Sequence, residues 1–186
     1  MTIFYTRGGD DGYTGLLGEG RVPKYDPRPD ATGELDEASA ALGLARALCQ
    51  APGIGDLLID AQRDLYLMMA EVSATPENAT RFRSINAEHV LKLEAHTDRL
   101  SALVEVPRQF ILPGDTPGAG ALSLARTIVR RAERKLVRLI HEIQLENTEL
   151  IRYLNRLSSL CFVLELYEIQ YTGRPGPTFA KESSAE

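Results

Sequence analysis

An all-α fold, a bundle of five amphipathic helices, follows from three features of the sequence. Apolar residues recur at helical spacing through five segments between positions 31 and 171. Short polar or Pro/Gly-rich links separate these segments, and runs alternating with strand period are almost absent. The chain of 186 residues suits a single domain that buries about 70% of its unfolded surface. It divides into a glycine-rich N-terminal arm (1–30), the bundle (31–172) and a flexible C-terminal tail (173–186).

The arm has six glycines from Gly8 to Gly20, then Pro23, Pro27 and Pro29, and no helical period. The first helix starts near 31 with Leu35, Ala38, Ala41/Leu42, Ala45 and Leu48 on one face, and ends near Pro52-Gly53. The second covers 54–73, with Leu57/Leu58, Ala61, Leu65, Met68/Met69 and Val72 inward; 75–84 reads as a polar connector. Asn86 is placed to cap a third helix carrying Val90, Leu93, Leu100 and Leu103. Prolines and glycines make 106–120 a loop. The fourth helix covers 121–143, and the fifth 147–171, with Leu150, Leu154, Leu157, Cys161 and Leu164 inward.

Composition excludes several functions. A net charge of −5, a pI near 5.3 and no tryptophan argue against a nucleic-acid partner. No apolar run reaches membrane-spanning length and no signal-peptide core is visible, so a cytoplasmic protein without a membrane partner is expected. Cys49 and Cys161 fall in helical patterns and read as buried thiols. There is no GxxxxGK[ST], GxGxxG after a strand, GxSxG or HExxH. None of His89, His96 and His141 follows a glutamate by three positions, and no Cys/His cluster has zinc spacing, so no metal-ligating residue is assigned.

The positive signals are local. Arg126, Arg130 and Arg134 are spaced i, i+4, i+8 along one helix edge, beside the apolar set Leu124, Ala125, Ile128, Val129, Ala132, Leu136 and Ile140. That row suits an anion at a helix or subunit seam, and equally a solvated basic face. In TRGGDDGYT (6–14) glycine N–H groups can form an anion nest, helped by threonine hydroxyls and Arg7. Asp10 or Asp11 could hold a phosphate-bridging magnesium ion, with Arg21 and Lys24 adding positive charge. Phe110, in a Pro/Gly loop, could cover a ligand or plug the bundle end. Asn155 could bond an adenine or ribose, or a neighbouring helix; Asp36 could cap its helix or pair with an arginine elsewhere.

Together, YTRGGDDGYTGLLGEGRVPK (5–24), GELDEASAALGLAR (33–46), FILPG (110–114), ARTIVRRAER (125–134) and YLNRLSSL (153–160) resemble the PduO-type ATP:cob(I)alamin adenosyltransferases, from about residue 3 to 166. The resemblance implies a homotrimeric five-helix bundle with active sites between subunits. It implies attack of the cobalt(I) of a reduced corrinoid on C5′ of ATP, giving adenosylcobalamin and triphosphate. Thr6, Arg7, Gly9, Asp10, Gly12, Thr14 and Lys24 would bind ATP, with Mg2+ carried mainly by its phosphates. Arg130 and Asn155 would complete the site from the adjacent subunit, with Glu133 ordering the arginine helix. Arg126 would pair with Asp36 across the interface. Phe110 would press on the lower corrin face and exclude the axial ligand. Implied partners are a corrinoid reductase or an adenosylcobalamin-dependent mutase. The chain departs from the family pattern at Gly8, Gly15, Ser39, Met68-Met69 and Asp115, which bears on ligand binding rather than fold. A second reading is a non-catalytic trimeric bundle that binds a nucleotide or corrinoid as carrier or regulator.

Overall fold

The computed structural model describes residues 5, 7–143 and 145–181. The elements run β1 (Tyr13–Gly15), β2 (Arg21–Pro23), α1 (Pro27–Leu48), α2 (Ile54–Ser73), α3 (Pro76–Phe82), α4 (Ala87–Ser101), α5 (Pro117–Ile143) and α6 (Glu149–Tyr171). Helices α1, α2, α4, α5 and α6 stand where the sequence predicts five. The sixth, α3, lies in the stretch read as a polar connector. It spans only seven residues and buries none of them, so no apolar period announces it.

Two helices start earlier than expected, for reasons found at their N-termini. The N–H of Arg28 donates to Asp26 Oδ1 at 3.0 Å, so Asp26 caps α1 four residues ahead of the predicted start. Pro27 and Pro29 occupy the first turn, where a missing N–H loses no intrahelical bond. At α5 the Ala119 N–H donates to Thr116 Oγ1 at 3.0 Å, and Pro117 opens the helix. Gly118, read as a loop residue, instead allows close packing. A Cβ there would stand 2.8 Å from Glu168 Oε1 and 3.0 Å from Cys49 Cα.

The arm contains a small antiparallel hairpin with Thr14 opposite Val22. Strands of three residues are too short for alternation to register. The hairpin docks on the bundle through the N–H of Leu17 to Ser73 O at 2.8 Å and the N–H of Thr75 to Leu17 O at 3.2 Å.

Helix α5 packs between α1 and α6, α2 lies on α1, and α4 on α6. Lys135 against Asp30 and Gly118 against Cys49 make α1 and α5 antiparallel. Leu35, Leu42, Leu65, Met68, Leu122, Leu136, Leu150 and Leu154 are fully enclosed. Each such burial contributes about 1.5–3 kcal/mol. Three residues expected inside are outside: Leu48, Leu103 and Leu124 are exposed. Leu103 lies beyond the end of α4 at Ser101, so helical phase no longer directs it inward. Asn147 is buried, donating to Glu71 Oε2 at 3.1 Å and to Ile85 O at 3.0 Å. Among the described residues no helix is long and apolar enough to cross a membrane.

Candidate functional site

The arginine edge of α5 forms as the spacing predicts, with Arg126 half-buried and Arg130 and Arg134 exposed. Arg134 Nη1 donates to Arg130 O at 3.0 Å. The Arg130 guanidinium makes no hydrogen bond or ion pair among the described residues. Arg131 faces the other way: its Nε meets Glu34 Oε2 at 2.6 Å and its Nη2 meets Glu37, fastening α5 to α1. Asp36 lies exposed on α1, and nothing among the described residues joins it to Arg126.

Glu133 and Asn155 do meet. Asn155 Nδ2 donates to Glu133 Oε1 at 3.1 Å. Arg156, which sequence reasoning passed over, donates from Nη1 to Asn155 Oδ1 at 2.8 Å and from Nε to Glu94 Oε1 at 2.7 Å. The amide is therefore held from both sides, its donor end on Glu133 and its acceptor end on Arg156. The Glu94–Arg156 pair joins α4 to α6 across 62 positions, a separation that local spacing cannot reveal.

In the arm, Asp11 is clasped by Arg21 through both carboxylate oxygens at 2.7 and 2.8 Å, and accepts from the Tyr13 N–H at 3.1 Å. The Arg21 hydrogen bond, first, and that N–H hold the Asp11 carboxyl below its ordinary range. Of the two carboxylates considered for magnesium, Asp11 is thus engaged by the hairpin, while Asp10 has no side-chain partner among the described residues. Gly12 turns with φ of +84°, and its carbonyl accepts from the Lys24 N–H at 2.9 Å. A Cβ on Gly9 would come within 3.0 Å of Lys24 Nζ, so Gly9 and Lys24 are adjacent. Arg7, with φ of 59°, sets its guanidinium over the Tyr5 ring. Thr14 sits in β1, and Thr6 lies outside the described residues. The structure joins Gly9, Gly12 and Lys24, and separately Glu133 and Asn155, but does not bring these two sets together within one chain.

Phe110 stands at the opposite end from the hairpin, 89% exposed on the loop between α4 and α5. Its backbone is fixed by residues from the segment expected to be a flexible tail. The Ala180 N–H donates to Phe110 O at 2.8 Å, the Leu112 N–H to Thr178 O at 2.7 Å, and Ile111 pairs antiparallel with Phe179. Asp115 accepts from the Thr178 N–H at 2.9 Å and from its hydroxyl at 2.6 Å. These partners are 63 positions apart, so composition alone reports only a polar tail. Asp115→Ala is expected to speed chymotryptic cleavage after Phe179 about 10-fold, as the two lost bonds raise the open population. An unchanged cleavage rate would show that Asp115 does not hold this segment.

Beneath the loop is a cleft of about 340 Å3 lined by Phe110, Ile111, Ser123, Arg126, Phe162 and Glu165. Glu165 is 1% exposed, and burial pushes its carboxyl up to about 7 against the opposing pull of the Ser123 hydroxyl and Arg126. Sequence reasoning missed it, because a glutamate inside an apolar helix pattern reads as a solvent-facing break in that pattern.

This arrangement of helices has counterparts among solved structures. One, with a TM-score of 0.88 and 31% identity over 99% of this chain and 100% of that one, is a variant PduO-type ATP:corrinoid adenosyltransferase from Lactobacillus reuteri complexed with cobalamin and ATP. Another variant from the same organism, complexed with ATP, has a TM-score of 0.88 and 30% identity, covering 96% of this chain and 100% of that one. Among relatives, the corrinoid adenosyltransferase PduO of Citrobacter freundii is 42% identical over 161 residues, 86% of this chain and 48% of that protein. The corrinoid adenosyltransferase of Mycobacterium bovis is 40% identical over 170 residues, 88% of this chain and 87% of that one. The chain spans about half the length of the two PduO relatives it matches. A family model described as cobalamin adenosyltransferase matches residues 4–168. The chain belongs to the cobalamin adenosyltransferase family.

Proposed function

We propose that the chain transfers the 5′-deoxyadenosyl group of ATP to the cobalt of cob(I)alamin. The cobalt(I) electron pair forms the Co–C5′ bond as the C5′–O bond breaks, and triphosphate leaves with that bond's electrons. No protein nucleophile is needed, so the chain's tasks are orientation and stabilisation of the leaving polyanion. The observation that carries this reading is the open face of Phe110, at the mouth of a cleft reaching Arg126, one helical turn (about 6 Å) from the unengaged Arg130.

In this reading Thr6, Arg7, Gly9, Asp10, Gly12, Thr14 and Lys24 wrap the nucleotide, while Arg130 and the doubly held Asn155 reach it from the neighbouring subunit of a homotrimer. Asp36 of one subunit pairs with Arg126 of the next; the exposed Leu44, Leu48 and Leu124 on α1 and α5 supply apolar area for that contact. Among the described residues no three His, Cys, Asp or Glu side chains cluster to cage a metal. A Mg2+ ion would be held chiefly by the nucleotide's phosphates, with Asp10 beside it. Phe110 covers the lower corrin face, keeping the axial base away and easing reduction to cobalt(I). A corrinoid reductase would supply the substrate and an adenosylcobalamin-dependent mutase would consume the product, in the cytoplasm, where the free thiols of Cys49 and Cys161 stay reduced.

Anaerobic incubation with ATP and chemically reduced cobalamin tests the proposal. Formation of the Co–C product with stoichiometric triphosphate is expected, whereas binding of both ligands without product would leave a carrier or regulator. Phe110→Ala is expected to lose the four-coordinate cobalt(II) spectrum expected of the unaltered chain. Retention of that spectrum would remove Phe110 from this role.

A further inference from the structure

The cleft under the Phe110 loop contains two buried polar atoms without partners. Glu165 Oε1 is an acceptor and Arg126 Nε a donor, and neither finds a hydrogen bond among the described residues. Both residues line the same cleft, together with Ser123 and the ring of Phe162. Leaving such atoms unsatisfied is costly, so a ligand group that reaches both from the cleft is favoured there. An acceptor and a donor in one cleft complement one neutral group in particular, the primary carboxamide, which donates through its N–H and accepts through its C=O. A carboxylate ligand fits poorly against the ionised form of Glu165, since it would set a second negative group there.

We propose that Glu165 and Arg126 form a carboxamide-binding subsite that takes a peripheral amide of the corrin ring. The proposal rests on the reading that a corrinoid lies against Phe110, because the rim of cobalamin carries neutral carboxamides. Glu165 Oε1 accepts from the amide N–H and Arg126 Nε donates to the amide carbonyl. The terminal nitrogens of Arg126 remain for the subunit contact. The subsite makes Glu165 a specificity-determining residue, distinguishing intact corrinoids from those whose rim amides have been hydrolysed to acids.

The test titrates cob(II)alamin, in the presence of ATP, into the unaltered chain, Glu165→Ala and Glu165→Gln. Cobalamin monocarboxylic acids, each with one rim amide hydrolysed, are titrated in parallel. The unaltered chain is expected to disfavour one of these acids about 10-fold or more. Glu165→Ala is expected to weaken cobalamin binding about 10- to 100-fold with the dissociation constant for ATP unchanged. Glu165→Gln keeps the volume and an acceptor, so it should hold cobalamin within a few-fold. It should also relieve the penalty against the disfavoured acid, because its own amide can donate to a carboxylate. If Glu165→Ala binds cobalamin and the acids as the unaltered chain does, the cleft is a water-filled polar pocket and the subsite is overturned alone. If Glu165→Ala dissociates the oligomer while affinity per subunit is kept, Glu165 serves a subunit contact and the subsite is likewise overturned. A folded, ATP-binding unaltered chain that takes up no cobalamin overturns the subsite and the underlying reading together.

Discussion

Arg130→Ala is expected to lower adenosyl transfer about 100- to 1000-fold, the loss typical when one preorganised donor to a developing anion is removed. The side chain is exposed on α5 and makes no bond among the described residues, so its removal leaves no buried partner there unsatisfied. Stability should therefore stay within about 0.5 kcal/mol of the unaltered chain. The combination separates this site from a structural one: turnover collapses while the denaturation midpoint stands still. Arg130→Lys retains the charge but loses the planar fork, and an intermediate rate is expected. Full activity in Arg130→Ala would remove this residue from the site and weaken the adenosyltransferase reading with it.

Glu168→Ala is expected to produce the largest loss of stability, about 3 kcal/mol or more. The Glu168 side chain is 1% exposed near the end of α6, and it accepts from the N–H of Gln50 at 2.9 and 3.1 Å and from that of Ala51 at 2.9 Å. These N–H groups belong to the turn that follows α1, where the backbone has left the helical ladder and cannot supply its own acceptors. Truncation strands both donors and opens a void beside Gly118. For a chain of this size the thermal midpoint should fall by roughly 6–12 °C. In urea the midpoint should move while the slope is kept. Gly118→Ala attacks the same junction from the other side and should also destabilise, since its Cβ meets the Cys49 backbone as well as Glu168. A shift below about 1 kcal/mol for Glu168→Ala would mean that water replaces the carboxylate at the turn.

Both residues illustrate the limits of reading this chain in one dimension. The α5 edge was legible because Arg126, Arg130 and Arg134 repeat at helical spacing, and a helix obliges residues with that spacing to share a side. The Asn86 cap was legible because an asparagine before an apolar-periodic run has one favourable local use, and its Oδ1 does accept from the Glu88 N–H at 3.0 Å. Gly118 was misread as loop because a glycine that breaks a helix and a glycine that lets two helices touch look alike in sequence. The partners of Asp115, Arg156 and Glu165 gave no signal because only packing brings them together.

The sequence by itself determined what repeats locally: five long amphipathic helices, their inward faces, the basic edge of α5 and a glycine-rich arm. Hydrophobic period and backbone preference act over a turn or two, so the order of residues is enough to express them. Only the tertiary structure decided which separated groups meet. It tied Asn155 between Glu133 and Arg156, locked Asp11 with Arg21, laid residues 178–180 along the Phe110 loop, and buried Glu165 with Arg126 around one cleft. Those pairings depend on how helices cross, and many side chains far apart in the chain set that together.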